Sequence, residues 1–135
     1  MPKKPIGVVI IGGGQACLEL LRLFDSVSLE DYSATIIGVA DPDAEAPGMK
    51  YARARGKMAV RDYREFFGIE GIDFILELTG DTAILEDLYL NKPPHTRVID
   101  HLGAKVFWEL KMKSDQRART ILEASRDAFV VADAG

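Results

Sequence analysis

Apolar and polar positions follow two different periods along the first hundred residues of this chain. Val8 to Ile11 is a β-branched apolar run that ends at three consecutive glycines, Gly12 to Gly14. Such a run predicts a strand buried on both faces, over Ile6–Ile11. Apolar residues then recur at helical spacing and predict a helix over Gln15–Val27. The chain therefore opens with a strand, a glycine turn and a helix.

Four more short apolar runs follow, and each ends in turn residues or a polar position. The predicted strands are Thr35–Ala40, Met58–Val60, Ile72–Leu78 and Arg97–Asp100. Helices are predicted between them over Met49–Ala54, Asp62–Phe67 and Asp81–Leu90, the last two capped by their first aspartate. This alternation predicts a doubly wound α/β fold, with a parallel sheet in the strand order 3-2-1-4-5 and helices on both faces.

The pattern changes after Gly103. Ala104 to Ser125 contains no glycine or proline, which predicts one long helix whose first half, with Phe107 and Trp108, packs on the sheet. A heptad seam interrupted at Ser114 and Arg117 comprises Phe107, Leu110, Ile121 and Ala124. It predicts a weak homodimer with this helix in the interface. Ala128–Ala132 predicts a strand and Asp133–Gly135 a turn, which we interpret as the start of a further domain.

Composition and charge narrow the function classes. The 135-residue chain has a formal net charge of −4, which argues against nucleic-acid binding through a basic face. No apolar run is long enough to predict a membrane span, and a cytoplasmic location is the simplest interpretation. One cysteine and two separated histidines give no metal-binding signature.

The glycine turn is the first candidate for a ligand-binding site. A helix that follows such a turn directs free backbone N–H groups and its positive end toward a phosphate. Gly12-Gly-Gly14-Gln-Ala-Cys17 departs from the G-x-G-x-x-G pattern at its last position, where we expect the small Cys17 to serve packing. The alternative is a tight turn that binds nothing.

Polar residues at the predicted strand ends complete the candidate site. Asp41 could accept hydrogen bonds from an adenosine ribose, which would favour NAD, or could simply form a turn before Pro42. His101 could contact a ligand or act as an acid–base group, although a lone histidine more often has no chemical role. The predicted cofactor-binding residues are Gly12, Gly13, Gly14, Gln15, Ala16, Asp41, Pro42, Thr79, Gly80 and His101. No catalytic or metal-binding residue is predicted.

Several short motifs together resemble the Rossmann domain at the N-terminus of some bacterial sensor histidine kinases. They are Ile11–Gly14, Gly38–Asp43, Ala46–Gly48, Glu77–Gly80 and Asp100–His101. Ile121–Gly135 looks like the entry into a PAS domain. The resemblance implies a Rossmann-like domain over 1–103, a signalling helix over 104–126 and the start of a PAS domain at 127. It also implies NAD as the ligand, with coenzyme A or another adenine nucleotide as alternatives, and PAS and kinase modules as partners.

Three functional hypotheses remain from the sequence. The first is a sensory dinucleotide-binding domain of a histidine kinase, itself without turnover. The second is the cofactor half of an oxidoreductase, because the glycine turn and Ala40-Asp-Pro42 also resemble glucose–fructose oxidoreductase and homoserine dehydrogenase enzymes. Those families have a lysine-centred site, whereas this chain has His101-Leu102 where a Lys-Pro pair would follow the fifth strand. The third is a non-binding Rossmann scaffold used for dimerisation.

Overall fold

The computed structural model of the chain describes residues 2–132, with side chains described for residues 2–116. Nine regular elements and one 3₁₀ helix follow in the order β1 (Lys4–Ile11), α1 (Gln15–Ser26), β2 (Tyr32–Ala40), α2 (Pro47–Ala54), β3 (Met58–Val60), the 3₁₀ helix (Tyr63–Gly68), β4 (Phe74–Glu77), α3 (Thr82–Asn91), β5 (Arg97–Ile99) and α4 (His101–Ala132). The chain divides into two compact units, residues 1–101 and residues 102–135.

The five strands form one parallel sheet in the order β3-β2-β1-β4-β5. This Rossmann-like α/β topology confirms the predicted strand order, with β1 in the centre. Because all strands run the same way, their carboxyl ends meet at one edge, where ligands bind in open α/β sheets.

Two apolar clusters cover the two faces of the sheet. Successive residues of β1 alternate between them, so Val8 and Ile10 join one cluster and Val9 and Ile11 the other. The first cluster also contains residues of α1 and α2, among them Met49, and the second contains residues of the 3₁₀ helix and α3. Burial on both faces explains why the second half of the central strand, Val8 to Ile11, consists of apolar residues only.

Several element boundaries differ from the prediction by two or three residues. β1 and β2 begin at Lys4 and Tyr32, because polar residues at the start of both strands pair with each other in the ladder. α2 begins at Pro47, since proline is favoured in the first turn of a helix. The predicted cap is confirmed in α3, where the Asp81 side chain accepts a hydrogen bond from Ala83 N at 2.9 Å.

The C-terminal helix differs most from the prediction. α4 begins at His101 instead of Ala104 and continues to Ala132, so the strand predicted at Ala128–Ala132 is wrong. Extending a helix adds one hydrogen bond per residue, whereas a strand needs a partner strand to satisfy its backbone. Phe107, which was predicted to be buried, is 69% exposed. The turn predicted at 133–135 lies outside the described residues.

Candidate functional site

The three glycines of the turn after β1 have different roles. Gly12 has a φ of +106°, a conformation that disfavours a side chain. A Cβ on Gly13 would lie 3.0 Å from Met49 Cγ and 3.1 Å from Asp41 Cβ. A Cβ on Gly14 would have no neighbour within 4 Å, and Gly14 has an ordinary φ of −74°. The fold therefore requires small residues at 12 and 13, whereas nothing within the protein requires glycine at 14.

The first turn of α1 presents unused donors beside this glycine. Gly14, Gln15 and Ala16 are exposed, and no side chain caps the helix. Leu18 N donates to Gly14 O at 3.1 Å, but the N–H groups of Gly14, Gln15 and Ala16 have no acceptor in the described part of the chain. A helix start with exposed, unsatisfied N–H groups attracts anions.

Asp41 links the end of β2 to the glycine turn. Its Oδ2 accepts a hydrogen bond from Gly13 N at 2.7 Å and its Oδ1 accepts one from Asp43 N at 2.8 Å. A carboxylate offers about four acceptor positions, so about two remain for a ligand. Asp41 thus holds the turn, and it retains acceptor positions that a ligand could use.

Cys17 is buried, and its thiol has a raised pKa. Burial, with a smaller contribution from the negative charge of Asp41, raises the pKa of the Cys17 thiol from 9.0 to about 12. Cys17 is fully buried within the first apolar cluster, which confirms that it serves packing.

A cavity of about 300 Å³ opens at the carboxyl edge of the sheet, next to the glycine turn. It is lined by the strand ends Ile11 and Ala40, by Gly12, Asp41, Pro42 and Thr79, which follow strands, and by Arg61, Asp62, Tyr63, Arg64 and Ile84. The volume lies at the lower end of the range for small-molecule sites. Two arginines and two aspartates balance the formal charge of its lining, and Ile11, Ala40, Pro42 and Ile84 add apolar surface.

One wall of the cavity is held in place by a hydrogen-bonded cluster around Asp87. Tyr63 Oη and Arg64 Nε both donate to Asp87 Oδ2, the latter at 3.2 Å, and these bonds tie the 3₁₀ helix to α3. The bond from Tyr63 is the main cause of a lowered pKa of Asp87. Burial, followed by the bond to Asp87, raises the pKa of Tyr63. Arg61 also lines the cavity, and its Nε donates a hydrogen bond to Pro42 O at 3.1 Å.

Glu77, the last residue of β4, is completely buried. Its Oε1 accepts hydrogen bonds from Thr79 Oγ1 at 2.5 Å and Gly80 N at 2.8 Å. Its Oε2 accepts one from His101 N at 3.4 Å and lies 3.5 Å from His101 Nδ1. His101 was expected in a loop but is the first residue of α4. The carboxylate therefore fixes the Thr79–Gly80 turn and contacts the imidazole at the same edge.

The structure brings the predicted residues into two neighbouring groups. One is the glycine turn with Asp41 and Pro42, and the other is Thr79 and Gly80 with His101. The two groups meet where a Cβ on Gly12 would lie 3.3 Å from Thr79 Cγ2.

Seven residues that line the cavity are not among those predicted: Ile11, Ala40, Arg61, Asp62, Tyr63, Arg64 and Ile84. Glu77, which holds the adjacent Thr79–Gly80 turn without lining the cavity, is not among them either. Glu77 has a sequence signal, because it is the one acidic residue between apolar neighbours in Phe74–Leu78. A charge in a buried strand needs partners, and this need marks it as a candidate site residue. Arg61 and its neighbours carry no such signal, since arginine and tyrosine after a short strand are common surface residues.

Other classes of site receive no support from the described residues. They contain no group of three or more histidine, cysteine, aspartate or glutamate side chains that could hold a metal ion. Among them, no helix has the length and apolarity needed to cross a membrane. No protein-family model matches the chain, and no curated protein matches its sequence.

Proposed function

We propose that residues 1–101 bind an adenine dinucleotide, with NAD or NADH as the first candidate. The observation that carries this proposal is the exposed first turn of α1, whose N–H groups at Gly14, Gln15 and Ala16 have no acceptor among the described residues. A pyrophosphate would satisfy these donors and interact with the positive helix end. The open space at Gly14 leaves room for that approach.

The cavity supports the adenosine half of the same ligand. Asp41 lies at its rim and retains acceptor positions for the ribose hydroxyls, as expected of an acidic residue at this strand end. The Arg61 guanidinium and the Tyr63 ring line the space where an adenine would lie. Coenzyme A and other adenine nucleotides share the adenosine and phosphate groups, so they belong in the same test.

Isothermal titration calorimetry with NAD⁺, NADH, ADP and coenzyme A tests the proposal. We expect the Asp41→Ala variant to weaken dinucleotide binding by about 1–3 kcal/mol, through the loss of hydrogen bonds to a charged group. Asp43→Ala is a matched control, since Asp43 accepts a similar turn hydrogen bond from Glu45 N at 2.9 Å but does not line the cavity. If none of the four ligands binds at millimolar concentration, the scaffold hypothesis replaces this one.

We propose that the bound nucleotide acts as a signal and is not turned over. The support is the resemblance to sensor histidine kinases, together with His101 at the position where the related oxidoreductases have lysine. NADH absorbance in the presence of small carbonyl compounds tests this point. Hydride transfer that disappears in His101→Ala would favour the oxidoreductase hypothesis.

The same resemblance supports a wider assignment. We propose that the chain forms the cytoplasmic sensory region of a bacterial histidine kinase, in which α4 leads to PAS and kinase modules. Homodimerisation through α4 is part of this proposal, because Phe107 and Leu110 are 69% and 60% exposed. A solvent-exposed apolar pair one helical turn apart gains free energy when it is covered by a second copy.

A further inference from the structure

The two oxygens of the Glu77 carboxylate serve two different segments of the chain. Oε1 accepts from the turn after β4, through Thr79 Oγ1 and Gly80 N. Oε2 accepts a hydrogen bond from the backbone N–H of His101, the first residue of α4, and lies beside the imidazole of the same residue. One buried side chain thus joins the rim of the candidate site to the start of the C-terminal helix.

The hydrogen bonds between Oε1 and the Thr79–Gly80 turn are short. They measure 2.5 and 2.8 Å, and Thr79 Oγ1 also accepts from Asp81 N at 3.0 Å. Thr79 lines the cavity, so a nucleotide there would contact the residue that fixes one end of the carboxylate. A displacement of Thr79 by a ligand would therefore move Glu77.

The contacts between Oε2 and His101, at the start of α4, are long. The His101 N and Nδ1 atoms lie 3.4 and 3.5 Å from Oε2, at the long limit of hydrogen bonding. Since hydrogen-bond strength falls steeply in this range, a shift of a few tenths of an ångström would form or break the contact. The carboxylate is fully buried, so a lost contact at Oε2 leaves an acceptor without solvent. A small movement at this contact therefore has an energetic consequence for the buried carboxylate.

We propose that Glu77 couples nucleotide binding at the Thr79–Gly80 turn to the first turn of α4. Nucleotide binding positions the turn, the turn positions the carboxylate, and Oε2 then closes on His101 and stabilises the helix start. The inference rests on the proposed nucleotide binding and names the residue through which that binding would be signalled. Coupling of this kind is reciprocal, so a stabilised helix start would also raise the affinity for nucleotide.

Hydrogen-exchange mass spectrometry on the full chain tests the coupling, with NAD⁺ as the probe at a concentration that calorimetry shows to be saturating. In the unmodified protein we expect NAD⁺ to slow amide exchange in residues 101–106 about fivefold or more, the lower range of allosteric coupling. Exchange in the first turn of α1 is the internal reference, since that segment would contact the ligand directly.

The Glu77→Gln variant distinguishes the roles of the two carboxylate oxygens. The amide oxygen can still accept from Gly80 N and Thr79 Oγ1, whereas the amide NH₂ then faces His101 N, donor against donor. Because the coupling is reciprocal, we expect this variant to bind NAD⁺ about fivefold more weakly and, at a saturating concentration, to lose the slowing in 101–106. Asp25→Asn is the matched control, because it makes the same change in a carboxylate that bonds Tyr51 and Arg55 instead. The control should keep the slowing.

The Thr79→Val variant tests the site side and decides the matter if Glu77→Gln fails to fold. It removes the 2.5 Å bond to Oε1 while leaving His101 unchanged, and we expect the slowing in 101–106 to fall to less than half. Binding of NAD⁺ with no slowing in the unmodified protein, or with undiminished slowing in these variants, overturns the coupling alone. Absence of NAD⁺ binding in calorimetry overturns the proposed function and the coupling with it.

Discussion

Cys17 and Gly48 occupy one shared space between α1 and α2. A Cβ on Gly48 would lie 2.5 Å from Cys17 Sγ, and Gly48 N donates a hydrogen bond to Gly13 O at 2.7 Å. In the G-x-G-x-x-G pattern the third glycine allows close packing of the helix. Here the cysteine takes that position, and the neighbouring helix provides the necessary room with its own glycine.

Gly48→Ala should destabilise the fold by about 1–3 kcal/mol, because the added methyl group overpacks a closed region. Urea unfolding measures the change. Gly68→Ala is the control, since a Cβ at Gly68 meets nothing within 4 Å, and it should be close to neutral. Adding Cys17→Ala to Gly48→Ala should recover only part of the lost stability, because the added methyl group would still lie too close to Gly13 O. Full stability of Gly48→Ala would show that the two helices separate easily.

The Cys17 thiol should make stability fall at alkaline pH. Its pKa is about 12 in the folded chain and 9.0 as an ordinary thiol, so the unfolded state loses the proton first as pH rises. The associated stability is complete below pH 9 and is lost progressively toward pH 12. Between pH 9 and 10 the unmodified protein should lose about 1 kcal/mol more than Cys17→Ala in urea unfolding. Parallel pH profiles for the two proteins would contradict the raised pKa.

Gly14→Ser should separate folding from ligand binding. Serine is favoured at a helix N-cap, and a Cβ at this position meets no protein atom within 4 Å, so thermal stability should be unchanged or slightly higher. NAD⁺ affinity should fall about tenfold or more, because the side chain enters the space through which a phosphate approaches. Calorimetry and thermal unfolding of the same preparation check both expectations. Unchanged affinity would place the phosphate elsewhere.

A double variant, Phe107→Ser with Leu110→Ser, should weaken self-association. Both side chains are exposed on α4, and covering them in a dimer is favourable only while they are apolar. Sedimentation velocity over a micromolar concentration series should show a concentration-dependent dimer for the unmodified chain and a monomer for the variant. Leu90→Ser is the control, since Leu90 is 82% exposed on α3. A chain that stays monomeric throughout, or a variant that dimerises equally, contradicts an interface on α4.

The sheet could be predicted from the sequence because each strand is marked by a local pattern, an apolar run that ends at turn residues or a polar position. Val8 to Ile11 requires burial on both faces, and the glycines after it require a turn into a helix. The start of α4 could not be predicted in the same way. His101 has no propensity that marks it as a first helical residue, and its contact with Glu77, 24 residues away in the chain, has no signal in the local sequence.

The arrangement of the candidate site was predictable where it depends on backbone geometry, and less so where it depends on side chains from distant segments. The glycine turn and Asp41 follow from local rules of strand ends and turns. The bond between Gly13 N and Asp41 spans 28 residues and fixes the turn in a way that no local pattern indicates. Arg61 and Tyr63 reach the cavity because β3 pairs with β2, so their role depends on tertiary structure.

The two outermost strands of the described sheet, β3 and β5, contain three residues each. An edge this short offers few unpaired backbone groups to an incoming strand, and natural proteins use short edges to prevent sheets from joining. Growth of the sheet by strand addition is therefore disfavoured on both sides. For a protein that docks on this domain, helix surfaces and side chains therefore offer more than the sheet edges do, and its specificity would rest on side-chain complementarity.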